Sequence, residues 1–79
     1  MFLKNFEITV VSLPHREELV AEIYYQNQQW VEISQETGEL IIQFYPHPRQ
    51  KYWEFPLEQA LQALEQAKKK MLDLGGRRE

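Results

Sequence analysis

The segment YPHPRQKYW, residues 45–53, concentrates side chains that could do chemistry. Its cationic groups could neutralise phosphates, and its aromatic rings could stack under bases, as in proteins that bind single-stranded nucleic acid. The candidate contacts for an anion or a nucleic acid are His47, Arg49 and Lys51. A loop that joins two strands would carry the same polar residues without a ligand, with its two prolines stiffening the chain. The acidic net charge of −3 favours this second interpretation.

No catalytic or metal-binding pattern accompanies this segment. The side chains that could take part in nucleophilic catalysis are scattered: Thr9, Ser12, His15, Ser34, Thr37, His47 and Asp73. The chain has no cysteine, its two histidines lack the close spacing of a metal motif, and its three glycines form no phosphate-binding loop. The sequence therefore predicts no enzyme, no catalytic residues, no metal and no cofactor.

Length and composition are those of one small globular domain. The chain has 79 residues, of which 43% are hydrophobic and 27% charged. No apolar run approaches the roughly 18 residues of a membrane-spanning helix, and the first residues lack the pattern of a signal peptide. We expect a cytoplasmic protein with no membrane partner, folded over residues 1–74 and ending in a flexible tail at 75–79.

Alternating apolar and polar residues predict the strands. Four strands are expected at 2–11, 19–25, 30–34 and 40–45, with a short fifth strand at 51–54. Asn27 tolerates a positive φ and centres a tight reversal between the second and third strands. Gly38 is expected in the left-handed conformation in the next turn. Strands that follow one another through short turns indicate an antiparallel meander.

A pattern of apolar residues with a helical period begins at Pro56, a residue that suits the first position of a helix. The apolar residues then recur at spacings of three and four: Leu57, Ala60, Leu61, Leu64, Ala67, Met71 and Leu74. Gly75 and Gly76 are expected to end this helix. The fold class is therefore α+β, in two layers: an antiparallel meander of four to five strands followed by one C-terminal amphipathic helix packed on one sheet face.

The strand period also divides the apolar residues between the two faces of the sheet. The expected core on the helix-covered face is Phe6, Ile8, Val10, Leu19, Ala21, Ile23, Val31, Ile33, Leu40, Ile42, Phe44, Trp53 and Phe55. One helix covers only one face, so the other face is predicted to stay open, with its glutamates exposed to water. Its candidate protein interface consists of Tyr24, Trp30, Ile41, Tyr45 and Tyr52.

Two interpretations of this open face remain. Exposed aromatic residues often mark an interaction site, but cross-strand aromatic pairs can also simply stabilise a sheet. The first interpretation predicts a non-enzymatic binding or regulatory module that associates with itself, as a homodimer, or with another protein. The alternative function is a single-stranded nucleic-acid binder that uses the 45–53 loop, although the glutamates disfavour it.

The C-terminal sequence EFPLEQALQALEQAKKKML resembles the strand and helix that close many small bacterial α+β proteins, including antitoxins of the HicB type. It covers under a third of the chain and is mostly a generic amphipathic helix. The N-terminal part lacks the glycine-rich strand pair expected of that family, so membership is not inferred.

Overall fold

The fold is a four-stranded antiparallel sheet followed by one helix, which confirms the predicted α+β class. A computed structural model describes residues 5–75, so the predicted strand residues 2–4 and the tail residues from Gly76 onward lie outside it. The elements are β1 (Phe6–Val11), β2 (Val20–Tyr25), β3 (Gln28–Ser34), β4 (Ile41–Phe44) and α1 (Leu57–Gly75). The strands are arranged in the order β1-β2-β3-β4, as expected of a meander.

Positive φ angles shape the two tight turns of the meander. Gln26 and Asn27 have φ angles of 50° and 69°, which is the pattern of a two-residue type I′ hairpin. Gly38 has a φ of 93° in the turn before β4, which confirms the left-handed conformation expected there. These turns bring β2, β3 and β4 together as neighbours.

The predicted fifth strand is wrong, because residues 51–54 belong to no strand. Nδ1 of His47 accepts hydrogen bonds from the backbone amides of Arg49 and Gln50, each at 3.0 Å. This closes a local turn in place of a strand pairing. The indole N–H of Trp53 then donates to the Tyr45 carbonyl at 2.8 Å, so a side chain ties this segment to the end of β4.

The helix packs over β1 and β2 through small side chains. Its buried residues are Ala60, Ala63, Ala67 and Met71. Alanines permit a close approach of helix and sheet, while successive residues turn by about 100° around a helix. Leu57 and Leu61 therefore lie on the flank of this buried arc. Both are exposed, so the expectation that they face the sheet is wrong, whereas Leu64 is partly buried against the core.

The helix does not extend over β4, the last strand of the sheet. Ile42 and Phe44 share the helix-covered face by register, opposite Ile33 and Val31 respectively. They were expected in the core but are 39% and 63% exposed. The physical reason is distance, since β4 lies beyond β3 and the helix contacts mainly β1 and β2.

Trp30 is buried in the core, contrary to the prediction that it lies on the open face. Ile23 of β2 faces Val31, whereas Tyr24 faces Gln29, so Trp30 is an extra residue between them. Such a bulge disturbs the alternation of side chains along a strand. The ring of Trp30 lies 5.9 Å from Phe6, between ring centroids, and its side chain is only 7% exposed.

Candidate functional site

The outer face is the sheet face opposite the helix, and a polar network occupies its centre. Glu22, Glu32 and Gln43 lie side by side on β2, β3 and β4. Arg16, from the β1–β2 loop, donates from Nη2 to Oε2 of Glu32 at 2.6 Å and to Oε1 of Gln43 at 3.1 Å. Glu32 was expected to be hydrated but is only 4% exposed. Its burial is possible because Arg16 compensates its charge in place of water.

Two of the predicted interface tyrosines use their hydroxyl groups within this face. Tyr45 donates to Oε1 of Glu32 at 2.9 Å, and Tyr24 donates to Oε1 of Glu22 at 3.2 Å. The hydrogen bond to Glu32 raises the pKa of Tyr45, and partial desolvation adds to this effect. Partial burial raises the pKa of Tyr24, as does the nearby charge of Glu22. The Tyr45 bond therefore links the end of β4 to β3, whereas the Tyr24 bond lies within β2.

The β1–β2 loop makes the outer face less open than expected. Glu17 and Glu18 donate their backbone amides to the two carboxylate oxygens of Glu36, at 3.3 and 3.0 Å. These bonds fasten the loop to the turn before β4. Val20, which belongs to the outer face by strand register, is fully buried. The part of this face that remains available lies toward β4.

β4 is exposed on both of its faces. Its four residues, Ile41–Phe44, are all exposed, although three of them are apolar. Tyr45 follows directly and is 38% exposed. We name the apolar residues Ile41, Ile42, Phe44 and Tyr45 the β4 patch. Ile41 and Tyr45 were predicted interface residues, whereas Ile42 and Phe44 had been assigned to the core.

The outer edge of β4 also presents unpaired backbone groups. The amide of Tyr45 donates to the Trp30 carbonyl at 2.9 Å, so Tyr45 directs its N–H toward β3. Hydrogen-bonded and non-hydrogen-bonded pairs alternate along antiparallel strands. The N–H and C=O groups of Phe44 and Ile42 therefore point away from β3. No other strand within residues 5–75 lies beside this edge.

The 45–53 loop brings the predicted anion-contacting residues together. His47, Arg49 and Lys51 line one open concavity of about 900 Å³, together with Tyr52 and Trp53. The imidazole of His47 is 4.6 Å from the indole of Trp53, between ring centroids. Its Nδ1 already accepts two backbone hydrogen bonds, so His47 holds the loop in shape. Arg49, Lys51 and Tyr52 are exposed and remain candidates for a ligand contact.

Sequence reasoning missed the residues at the centre of the outer face, Arg16 and Glu32. A signal did exist, because Arg16 is the only arginine or lysine between Lys4 and Arg49. A buried glutamate in β2 or β3 therefore had few possible cationic partners. Ile42 and Phe44 were missed because strand period assigns a face to a residue but does not show how far a helix extends over that face.

Among residues 5–75, no three histidine, aspartate or glutamate side chains are placed to hold a metal ion. No helix in the same part of the chain is long and apolar enough to span a bilayer. No protein family, curated protein or solved structure matches this chain.

Proposed function

We propose that this protein is a small, non-enzymatic protein-binding module of the cytoplasm, and that it binds through the β4 patch and the adjoining strand edge. The observation that carries the proposal is the exposure of an entire uncharged edge strand. Natural proteins usually protect such edges with charges, prolines or covering elements, because an unpaired edge can template another strand. β4 carries neither a charge nor a proline within its bounds.

The geometry favours recognition of an extended segment by strand addition. In this mode, main-chain hydrogen bonds supply affinity, and alternate side chains supply specificity. The outward backbone groups of Ile42 and Phe44 would form the ladder. Their side chains would contact the added strand on the helix side, and Ile41 and Tyr45 would contact it on the outer face. A suitable ligand is therefore an extended segment with apolar residues on both of its faces.

Selection from a displayed library of random peptides tests this proposal. We expect the parent to enrich extended, apolar sequences and Phe44→Lys to lose their binding, since a lysine there places a charge beside the new ladder. Leu57→Lys is a matched control, because Leu57 is 69% exposed and Phe44 is 63% exposed, but Leu57 lies on the helix. The control should retain the selected peptides.

Two outcomes would count against this use of β4. One is binding that Leu57→Lys abolishes and Phe44→Lys leaves unchanged, which would move the site to the helix. The other is a parent that neither enriches peptides nor associates with itself at millimolar concentration. Circular dichroism of each variant establishes that lost binding does not reflect lost folding.

Binding of single-stranded nucleic acid is a second candidate function, favoured by the convergence of Arg49, Lys51, Tyr52 and Trp53 on one concavity. Glu54 lines the same concavity and would repel a phosphate backbone. The net charge of −3 acts in the same direction. The protein-binding proposal is therefore preferred to this one.

Replacing Arg49 and Lys51 together by glutamine distinguishes between the two candidate functions. Both side chains are exposed, so we expect the free energy of unfolding to change by less than about 0.5 kcal/mol and peptide binding to persist. We also expect no oligonucleotide binding by the parent in fluorescence anisotropy. Binding at low salt that weakens steeply with added salt, and that disappears in the double variant, would place nucleic acid first.

A further inference from the structure

We infer that the segment that pairs with β4 is β4 of a second copy of this chain. The inference rests on the proposed function, which supplies the binding edge, and adds the identity of the partner. Antiparallel pairing about a two-fold axis perpendicular to the sheet would join two four-stranded sheets into one sheet of eight strands. Both helices would then lie on the same side of the joined sheet.

The direction of the backbone groups determines the register. Only Ile42 and Phe44 within β4 direct their N–H and C=O groups outward, so these residues must form the hydrogen-bonded pairs. Two-fold symmetry is satisfied when Ile42 faces the partner's Phe44 and Gln43 faces the partner's Gln43. Each Ile42–Phe44 pair exchanges two hydrogen bonds, and symmetry produces that pair twice.

Side chains on both faces fit this register. On the helix side, Ile42 lies opposite the partner's Phe44. On the outer face, Ile41 lies opposite the partner's Tyr45, so each apolar member of the β4 patch gains an apolar neighbour. Cross-strand pairs of aromatic and β-branched residues are among those that stabilise sheets. Oε1 of Gln43 accepts from Arg16 and keeps a second lone pair. Each Gln43 can therefore donate an amide N–H to Oε1 of its counterpart across the axis.

The neighbouring registers fit less well. If Ile42 instead faced the partner's Ile42, then Ile41 would lie opposite Gln43, and Tyr45 would lose its apolar neighbour. If Phe44 faced the partner's Phe44, then Ile42 would lie opposite Pro46, which has no N–H to donate. Of the three registers, only the one centred on Gln43 pairs the outward groups of Ile42 and Phe44 with each other and gives every residue of the β4 patch an apolar neighbour.

Charges do not oppose this arrangement. β4 carries no charge that two-fold symmetry would set against itself. Arg49 and His47, which follow the strand, line the concavity beside Gln26 and Gln28 of the β2–β3 hairpin. A second copy therefore satisfies the backbone and the apolar side chains without setting like charges against each other.

Sedimentation over a range of concentrations tests the assembly. We expect the parent to show a reversible monomer–dimer equilibrium and Phe44→Lys to raise its dissociation constant at least tenfold. The urea midpoint of monomeric Phe44→Lys should fall only slightly below that of the dissociated parent, since Phe44 is 63% exposed although its ring contacts Trp30. Leu57→Lys should dimerise as the parent does. A parent that stays monomeric at millimolar concentration overturns the inference.

Single cysteines test the register, because the chain contains no cysteine of its own. Gln43→Cys places two thiols opposite each other on the two-fold axis, within the reach of a disulfide. Ile41→Cys, on the same strand and face, lies about 13 Å along the strand from its symmetric copy, at roughly 3.3 Å per residue. Mild oxidation should therefore cross-link Gln43→Cys much faster than Ile41→Cys. Equal rates, or faster cross-linking of Ile41→Cys, overturn the inference.

The experiments can reject self-pairing and the proposed function independently of each other. A monomeric parent whose selected peptides still require Phe44 would defeat self-pairing and leave the proposed function standing. A dimer that Phe44→Lys and Leu57→Lys form equally well would remove β4 from the contact and overturn the inference, while β4-dependent peptide binding would still support the proposed function. Loss of both self-association and peptide binding in the parent contradicts both proposals.

Discussion

Trp30→Ala should destabilise the fold by about 3–5 kcal/mol, the range found when a large aromatic side chain is removed from a core. The Trp30 ring lies against Phe55, Phe6 and Phe44, with centroid distances of 4.7, 5.9 and 6.1 Å respectively. Phe55 continues the cluster toward Tyr25. Because a small domain is stable by only about 5–15 kcal/mol, urea unfolding monitored by far-UV circular dichroism should show a large shift of the midpoint.

Tyr52→Ala is the control for this experiment. Tyr52 is another aromatic residue, but it is 69% exposed in the loop before the helix. Its removal should change the free energy of unfolding by less than about 0.5 kcal/mol. If the two variants unfold at the same urea concentration, the Trp30 ring does not contribute to the core.

The error over Trp30 shows what strand period can and cannot predict. The same alternation correctly assigned Val31 and Ile33, which are buried on the helix-covered face. Trp30 was misassigned because an extra residue interrupts the pairing with β2 just before Val31. A bulge depends on how two strands meet, so the residues of one strand do not reveal it.

The helix could be predicted from its local sequence. Which of its residues would be buried could not. Spacings of three and four together with Gly75 specify an amphipathic helix, and the helix runs Leu57–Gly75. The apolar residues of its sequence span a wide arc, however, and any part of that arc could face the sheet. Close packing selects Ala63 and Ala67, which are fully buried, and leaves Leu61 on an exposed flank.

The candidate sites also differ in how far apart their residues lie in the sequence, and this decided which of them could be predicted. His47, Arg49 and Lys51 are near one another in the sequence, and one turn is sufficient to gather them around a concavity. Arg16 and Glu32 are sixteen positions apart and meet only because the β1–β2 loop returns over the sheet. Local composition therefore identified the loop, whereas the central ion pair required the tertiary structure.

Arg16→Ala should destabilise the protein by about 3 kcal/mol, because it removes the cation from a buried carboxylate. We expect the low end of the usual range of 3–5 kcal/mol, since the Arg16 side chain is 20% exposed and Tyr45 still donates to Glu32. Urea unfolding at neutral pH measures the change. Arg49→Ala, which removes an exposed arginine, should leave the unfolding midpoint nearly unchanged.

A double variant identifies the cause of this loss. Combining Arg16→Ala with Glu32→Gln removes both charges, leaving a neutral amide that can still accept the hydrogen bond from Tyr45. If an uncompensated charge causes the loss, the double variant should be more stable than Arg16→Ala alone, because a neutral group is less costly to bury than an ion. A double variant that is less stable still would show that the two effects add. The carboxylate of Glu32 would then contribute independently of Arg16, and the loss in Arg16→Ala would come from the other contacts of Arg16, such as its hydrogen bond to Gln43.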